Sequence, residues 1–212
     1  MIPTIIKSTP LLPLILLTLT SPAEAVVLSS AFERELRSAG NNTGTGATQG
    51  IGSMRIGDEL GNGSRDARGV TEFIITGQTT TTSAMLQFDQ TGILLGGAFN
   101  IVIEAYQANG TVEVVADYSR TSTGTVATFS SDDYNFNDTG ISFDVTSIYN
   151  AAITNGDDAI GFRFRLEDES PTTQQVVTYS NSKLNVTTVP EPSSILCVTL
   201  GAGMLIFRRN KK

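Results

Sequence analysis

The 212-residue chain has no histidine, no tryptophan and a single cysteine, Cys197. Without histidine there can be no Ser–His–Asp or Cys–His nucleophile, and no imidazole to ligate zinc. Cys197 falls in a C-terminal apolar run, and one cysteine cannot form an intramolecular disulfide, so burial and β pairing must hold the core. Positive charge is scarce too. Leaving out the two ends, residues 26–189 hold 19 acidic and 9 basic side chains, a formal charge near −10. The basic residues are scattered and no aromatics interleave with them, so nucleic acid is not an expected partner.

Hydrophobic runs long enough to span a bilayer are also missing, yet both ends are apolar. At the N-terminus Lys7 precedes the apolar stretch Leu11 to Leu19, and Ser21-Pro22-Ala23-Glu24-Ala25 follows. Ala23 and Ala25 put small residues at the −3 and −1 positions of a cut after Ala25, the pattern of a secretory signal peptide over 1–25. The run is broken by Pro10 and Pro13 and falls short of the about 20 residues a membrane anchor needs.

The C-terminal 24 residues, 189–212, have three parts in order. Val189-Pro190-Glu191-Pro192 holds the chain extended through its two prolines. An apolar run, Ile195 to Phe207, follows; with Ser194 it gives a candidate transmembrane segment 194–207, about 20 Å long as a helix against about 30 Å of hydrocarbon. Arg208, Arg209, Lys211 and Lys212 close the chain as a basic stop-transfer tail that the positive-inside rule keeps cytoplasmic. The motif, the short apolar helix and the basic tail together resemble a PEP-CTERM sorting signal. The resemblance implies export in a Gram-negative-type bacterium that makes exopolysaccharide, and handling by an exosortase, a membrane-embedded transpeptidase-like protease.

Between the ends, short β-branched and apolar runs alternate with turn residues. Strands are predicted at Val70 to Thr76, Ala84 to Phe88, Phe99 to Ala108, Val112 to Tyr118, Ala159 to Leu166, Gln175 to Tyr179 and Lys183 to Thr188. Asn109-Gly110 reads as a hairpin turn joining the third and fourth of these. Strict alternation in Phe162-Arg163-Phe164-Arg165-Leu166 predicts one buried and one solvated face. Ser147 to Asn155 reads instead as one short helix, with Thr146 as N-cap and Gly156 as stop. Residues 26–53, with the Gly/Asn/Thr-rich stretch Gly40 to Gly46, read as a flexible or partly ordered lead-in to a domain over 54–188. The expected fold is all-β: an antiparallel β-sandwich with one short helix, flanked by an N-terminal signal helix and a C-terminal transmembrane helix.

Met54-Arg55-Ile56-Gly57, the block Arg65 to Phe73, and Thr82-Ser83-Ala84-Met85-Leu86 resemble the opening of DNRLRE-type jelly-roll modules. Ser142-Phe143-Asp144-Val145-Thr146-Ser147 with the following helix resembles their closing half. That likeness implies a jelly-roll-like sandwich related to carbohydrate-binding modules. Thr71-Glu72-Phe73 departs from the family's pattern, and the resemblance carries over no ligand residue.

Chemistry-bearing clusters are few. Asp132-Asp133-Tyr134-Asn135-Phe136-Asn137-Asp138 is the densest set of oxygen ligands. Asp133, Asn135 and Asn137 at i, i+2 and i+4 could give three of the six to eight oxygens calcium takes. The competing reading is an acidic loop or edge strand with Tyr134 and Phe136 turned inward. Asp58, Glu59, Asn62 and Asp66 around Gly61 and Gly63 form a second cation-loop candidate that turn chemistry also explains. Tyr106, Tyr118, Tyr134, Tyr149 and Tyr179 could stack on sugar faces, but their positions also suit a core. The expectation is a non-catalytic surface or matrix protein, processed by signal peptidase and an exosortase, associated with exopolysaccharide or biofilm, and held by its C-terminal helix in the membrane before processing. No cofactor is called for, calcium being the one ion a cluster could hold. A carbohydrate-binding module is the first alternative and a secreted hydrolase the second.

Overall fold

Apolar and polar residues alternate at period two in strands such as the one that spans residues 81–90, while others are buried along nearly their whole length. A computed structural model describes residues 24–38, 47–50, 52–58, 66–92, 96–169, 171 and 173–188, all within the compact unit Ala23–Val189. The signal segment through Ala23, the Gly40 to Gly46 stretch, Glu59 and Asn62, and the C-terminal tag with its 194–207 segment lie outside the described residues. Among the described residues, no helix is long and apolar enough to cross a membrane.

In chain order the elements are β1 (Glu24–Ser29), β2 (Phe32–Arg37), β3 (Thr48–Gln49), β4 (Met54–Asp58), β5 (Asp66–Ile74), β6 (Thr81–Gln90), β7 (Asn100–Ala108), α1 (Val114–Ser119), β8 (Ser122–Ser130), β9 (Ile141–Asp144), α2 (Thr146–Asn155), β10 (Ala159–Leu166) and β11 (Gln175–Thr188). Strands make up 57% of the described residues, in an antiparallel, nearly closed sheet. Its order is β8-β7-β10-β5-β4-β11-β6-β9, with β2 also beside β5, β3 beside β2, and β1 beside β11. The two ends of the path meet through side chains, with the Phe129 ring 5.2 Å from that of Phe143 and 5.7 Å from that of Tyr134. The lead-in thus supplies three strands, and β1 pairs along its whole length with the end of β11, from Glu24 opposite Thr188 to Ser29 opposite Lys183.

The main core is built from alternate residues: Ala84, Leu86 and Phe88 on β6; Ile101, Ile103 and Ala105 on β7; Ile160, Phe162, Phe164 and Leu166 on β10. On β11 the core residues are Val177 and Tyr179, then Leu184 and Val186, so the phase flips midway. An irregularity between Ser180 and Lys183 causes the flip, with Asn181 at φ 59°. What reads in sequence as two strands, Gln175 to Tyr179 and Lys183 to Thr188, is one strand that changes partner at this point, from β4 to β6 and β1.

Two further expectations are corrected. Val112 to Tyr118 is not a strand and Asn109-Gly110 does not close a hairpin, because both edges of β7 are taken by β8 and β10. The chain instead crosses the outer face of the sheet as a strap, residues 109–121, containing the six-residue α1. There Val112 and Val114 pack on a second cluster, Phe32, Leu36, Val70 and Tyr118. The described residues therefore hold two helices, not one. At α2 the cap is not Thr146: the Asp144 carboxylate accepts both the Thr146 N–H (2.8 Å) and its hydroxyl (2.6 Å). Gly156 does end the helix, at φ 75°, donating its N–H back to the last turn. Asn150 ties α2 to β6, accepting the Thr81 N–H (2.8 Å) and donating to the Thr81 carbonyl (2.9 Å).

Candidate functional site

Arg163 and Arg165 alternate with the core phenylalanines of β10, which predicts a solvated face for them; the strap overturns this at Arg163, while Arg165 stays partly exposed. Arg163 is buried and donates to Glu104 on β7 (2.6 Å) and to the carbonyls of Tyr118 (3.0 Å) and Arg120 (2.9 Å). Arg165 takes the other Glu104 oxygen at 2.8 Å. Arg68 on β5 lies 4.2 Å over the Tyr118 ring, donates to the Tyr118 carbonyl, and pairs with both oxygens of Glu169. Burial pushes the Glu104 carboxyl up, but the hydrogen bonds from Arg165 and Arg163 outweigh that and hold it below the usual range. Arg68 and Arg163 thus supply donors to carbonyls that end α1, a role its own sequence leaves open.

Beside this ion-pair group lies a carboxylate of different character. Glu72 is fully buried on β5, opposite Gly161 of β10, and the next strand places Tyr106 opposite the same glycine. The Tyr106 ring therefore crosses over Gly161, and its hydroxyl donates to Glu72 Oε1 at 3.0 Å. The Gly110 N–H, at the start of the strap, donates to Glu72 Oε2 at 2.8 Å. Asp117 of α1 is also fully buried, accepting from the Glu113 N–H (2.6 Å) and from Arg120 (3.0 Å). Burial first, and the charge of Asp117 second, push the Glu72 carboxyl up to about 7. Burial likewise raises the Asp117 carboxyl and carries the Tyr106 hydroxyl well above its ordinary value.

A pH dependence follows. The folded state holds the Glu72 proton up to about pH 7, whereas an unfolded chain releases it near 4.5. Between those values the native state binds more protons, so stability falls as pH rises. Discounted for solvent screening, the loss is about 1–2 kcal/mol between pH 5 and pH 8, or about 3–6 °C in melting temperature for a domain of this size. Glu72→Gln should flatten that slope, although its amide NH₂ cannot accept from Gly110 and so it gains no stability at pH 5. Melting curves of both proteins at half-unit pH steps check this, and parallel slopes would rule Glu72 out as the source.

The site residues predicted from sequence are dispersed. Asp132 to Asp138 forms two tight turns, not an edge strand. Asp133 Oδ2 accepts the Ser130 N–H at 2.9 Å, Asp138 Oδ2 accepts the Asn135 N–H at 2.7 Å, and Asn137 lies at φ 70° with its N–H on Gln90. Tyr134 packs inward on Phe129, but Phe136 is 54% exposed rather than turned in. Among the described residues no three His, Cys, Asp or Glu side chains gather to hold a metal. Asp58 and Asp66 are brought into direct register across β4 and β5, both buried. Of the five tyrosines, Tyr106, Tyr118, Tyr149 and Tyr179 are buried, so no exposed row of rings is left for sugar stacking. Val189 to Pro192, Arg208, Arg209, Lys211, Lys212 and Ala23 lie outside the described residues, while Ala25 is exposed on β1 opposite Thr187.

One concavity opens beside α2. It is about 170 Å³ and lies between α2 and the ends of β7, β8 and β10. Ile148, Ala152, Ala159 and Ile160 give it an apolar floor, and Gln107, Thr123, Ser147, Asn155 and Asp157 contribute polar side chains. Gln107 donates to Asp157 Oδ1 at 2.7 Å. No protein-family model matches the chain, and no curated protein does. Two places among the described residues thus carry chemistry, the charged group under the strap and the pocket at α2. Sequence reasoning missed both; the one local signal was Thr71-Glu72-Phe73, a carboxylate in the midst of a core strand.

Proposed function

We propose that this is an exported, non-catalytic protein of the cell surface or extracellular matrix, sorted by an exosortase-type system and associated with exopolysaccharide. The observation that carries the reading is the C-terminal tag, three parts in fixed sequence: Val189-Pro190-Glu191-Pro192, a 13-residue apolar run and a basic tail. The fold is compatible with it, since β11 ends at Thr188, one residue before the motif, and β1 begins at Glu24 opposite that residue. The bond after Ala25 lies two residues into β1, so both processing points fall at one end of one strand pair, and the cut removes the Glu24–Thr188 and Ala25–Thr187 pairings. Signal peptidase and an exosortase are the partners in export, and the 194–207 segment holds the chain in the membrane until the tag is processed. The nearly closed sheet is read as a jelly-roll-like sandwich. Glu72 under the strap and Asp117 within it, the carboxylates with acid–base character, are both fully buried, which supports a non-catalytic role.

Glu191→Ala, or replacement of both Pro190 and Pro192, should leave export intact but retain the protein uncut in the membrane fraction. Fractionation of the host with and without its exosortase provides the reference. Variants that reach the matrix or medium as readily as the unaltered chain would refute the tag.

A further inference from the structure

We propose that the cavity beside α2 binds a single neutral sugar residue, at the end of or within a polysaccharide. The lining decides the class. Among the described residues no lysine or arginine lines it, and the one charged group that does is the Asp157 carboxylate, so a phosphate or carboxylate ligand meets no cationic partner among them. Apart from Tyr106, whose hydroxyl is taken by Glu72, its polar side chains are two hydroxyls (Thr123, Ser147), two amides (Gln107, Asn155) and that carboxylate, grouped over a floor of Ile148, Ala152 and Ile160. Mixed donors and acceptors around an apolar base suit a pyranose ring, whose hydroxyls each donate and accept while its C–H face is apolar. A purely apolar ligand would leave those polar groups unpaired.

The inventory leaves capacity for a ligand. The bond from Gln107 to Asp157 uses one polar atom of each and leaves the Gln107 Oε1 acceptor and the second carboxylate oxygen. It also fixes the two side chains against each other between β7 and the turn that joins α2 to β10, which lowers the ordering cost of binding. Size narrows the occupant further: 170 Å³ is the liquid volume of about five or six waters, below the about 300 Å³ at which drug-sized sites begin. One ring fits; an oligosaccharide would have to extend outward. Tyr106, the one aromatic in the lining, is 1% exposed with its hydroxyl on Glu72, so it offers no flat platform, and affinity for a lone ring is expected to be weak, about millimolar.

The choice of sugar rests on the proposed matrix role. The two fail separately, because sorting is read by fractionation and the pocket by titration. Saturation-transfer NMR on the exported chain, with methyl β-glucoside, methyl β-galactoside and N-acetylglucosamine as probes, should show saturable binding for at least one of them. Asn155→Ala combined with Asp157→Asn should weaken that binding at least about tenfold. Ala151→Phe, which fills the cavity from the helix without removing a polar group, should abolish it. Lys183→Ala, on an exposed strand position away from α2, should not change it. Melting temperatures within about 1 °C of the unaltered chain would establish that the pocket variants are folded. Absence of saturable binding by all three probes, or binding that Ala151→Phe leaves intact, would overturn the proposal.

Discussion

Replacing Gly161 by alanine is expected to destabilise the domain by about 3–4 kcal/mol, an outsized loss for one methyl group. A Cβ at this position would lie 2.3 Å from Tyr106 Cζ and 2.4 Å from its Cε2, closer than side chains approach. The ring cannot swing away cheaply. Its hydroxyl is bonded to Glu72 at 3.0 Å, and the residue is 1% exposed. Overpacking alone costs about 1–3 kcal/mol, and losing the hydroxyl from a buried carboxylate adds a further part. For a domain of this size the melting temperature should drop by about 6–16 °C. Tyr106→Ala in the Gly161→Ala background should recover part of the loss, a coupling that a double-mutant cycle measures. Strict additivity would mean that the ring and the glycine do not share the space the geometry gives them.

Arg163→Met should cost about 3 kcal/mol, against about 1 kcal/mol for Arg165→Met, although both pair with Glu104. The difference lies in what else they hold. Arg163 also donates to the Tyr118 and Arg120 carbonyls, so its loss leaves the end of α1 short of donors as well as removing one of the two cations on Glu104. Glu104 keeps Arg165 at 2.8 Å, which places the cost at the low end for a broken buried pair. Denaturant midpoints would give the two losses. Limited proteolysis would localise the first, because the strap 109–121 should open in Arg163→Met and stay protected in Arg165→Met. Equal losses, or an unchanged strap, would show that Arg163 serves only its ion pair.

Most strands were legible from sequence alone because their information is local. The run Ala159 to Leu166, alternating strictly from Phe162 on, is β10, Phe99 to Ala108 brackets β7, and Gly156 ends α2 where a glycine stop was expected. Period two and a left-handed helix stop depend on neighbours within a few residues, so composition and spacing suffice to determine an all-β, mostly antiparallel chain. The residue inventory likewise settled, without any fold, that neither a histidine-dependent catalytic centre nor an internal disulfide can exist here. Partners distant in sequence were decided only by the tertiary structure. Val112 to Tyr118 has strand composition, yet β8 and β10 occupy both edges of β7, and arginines about 45 and 50 residues away, Arg163 and Arg68, complete its helix. Arg163 reads as a solvated position until a strap from another part of the chain covers it. Glu72 reads as an interruption of a core strand until Gly161 opens the space for Tyr106 to reach it. Local patterning selects which residues pair and which face turns in; what covers the other face depends on where the connections run, and that is set by competition among all the strands for edges and by the burial of charge they make possible.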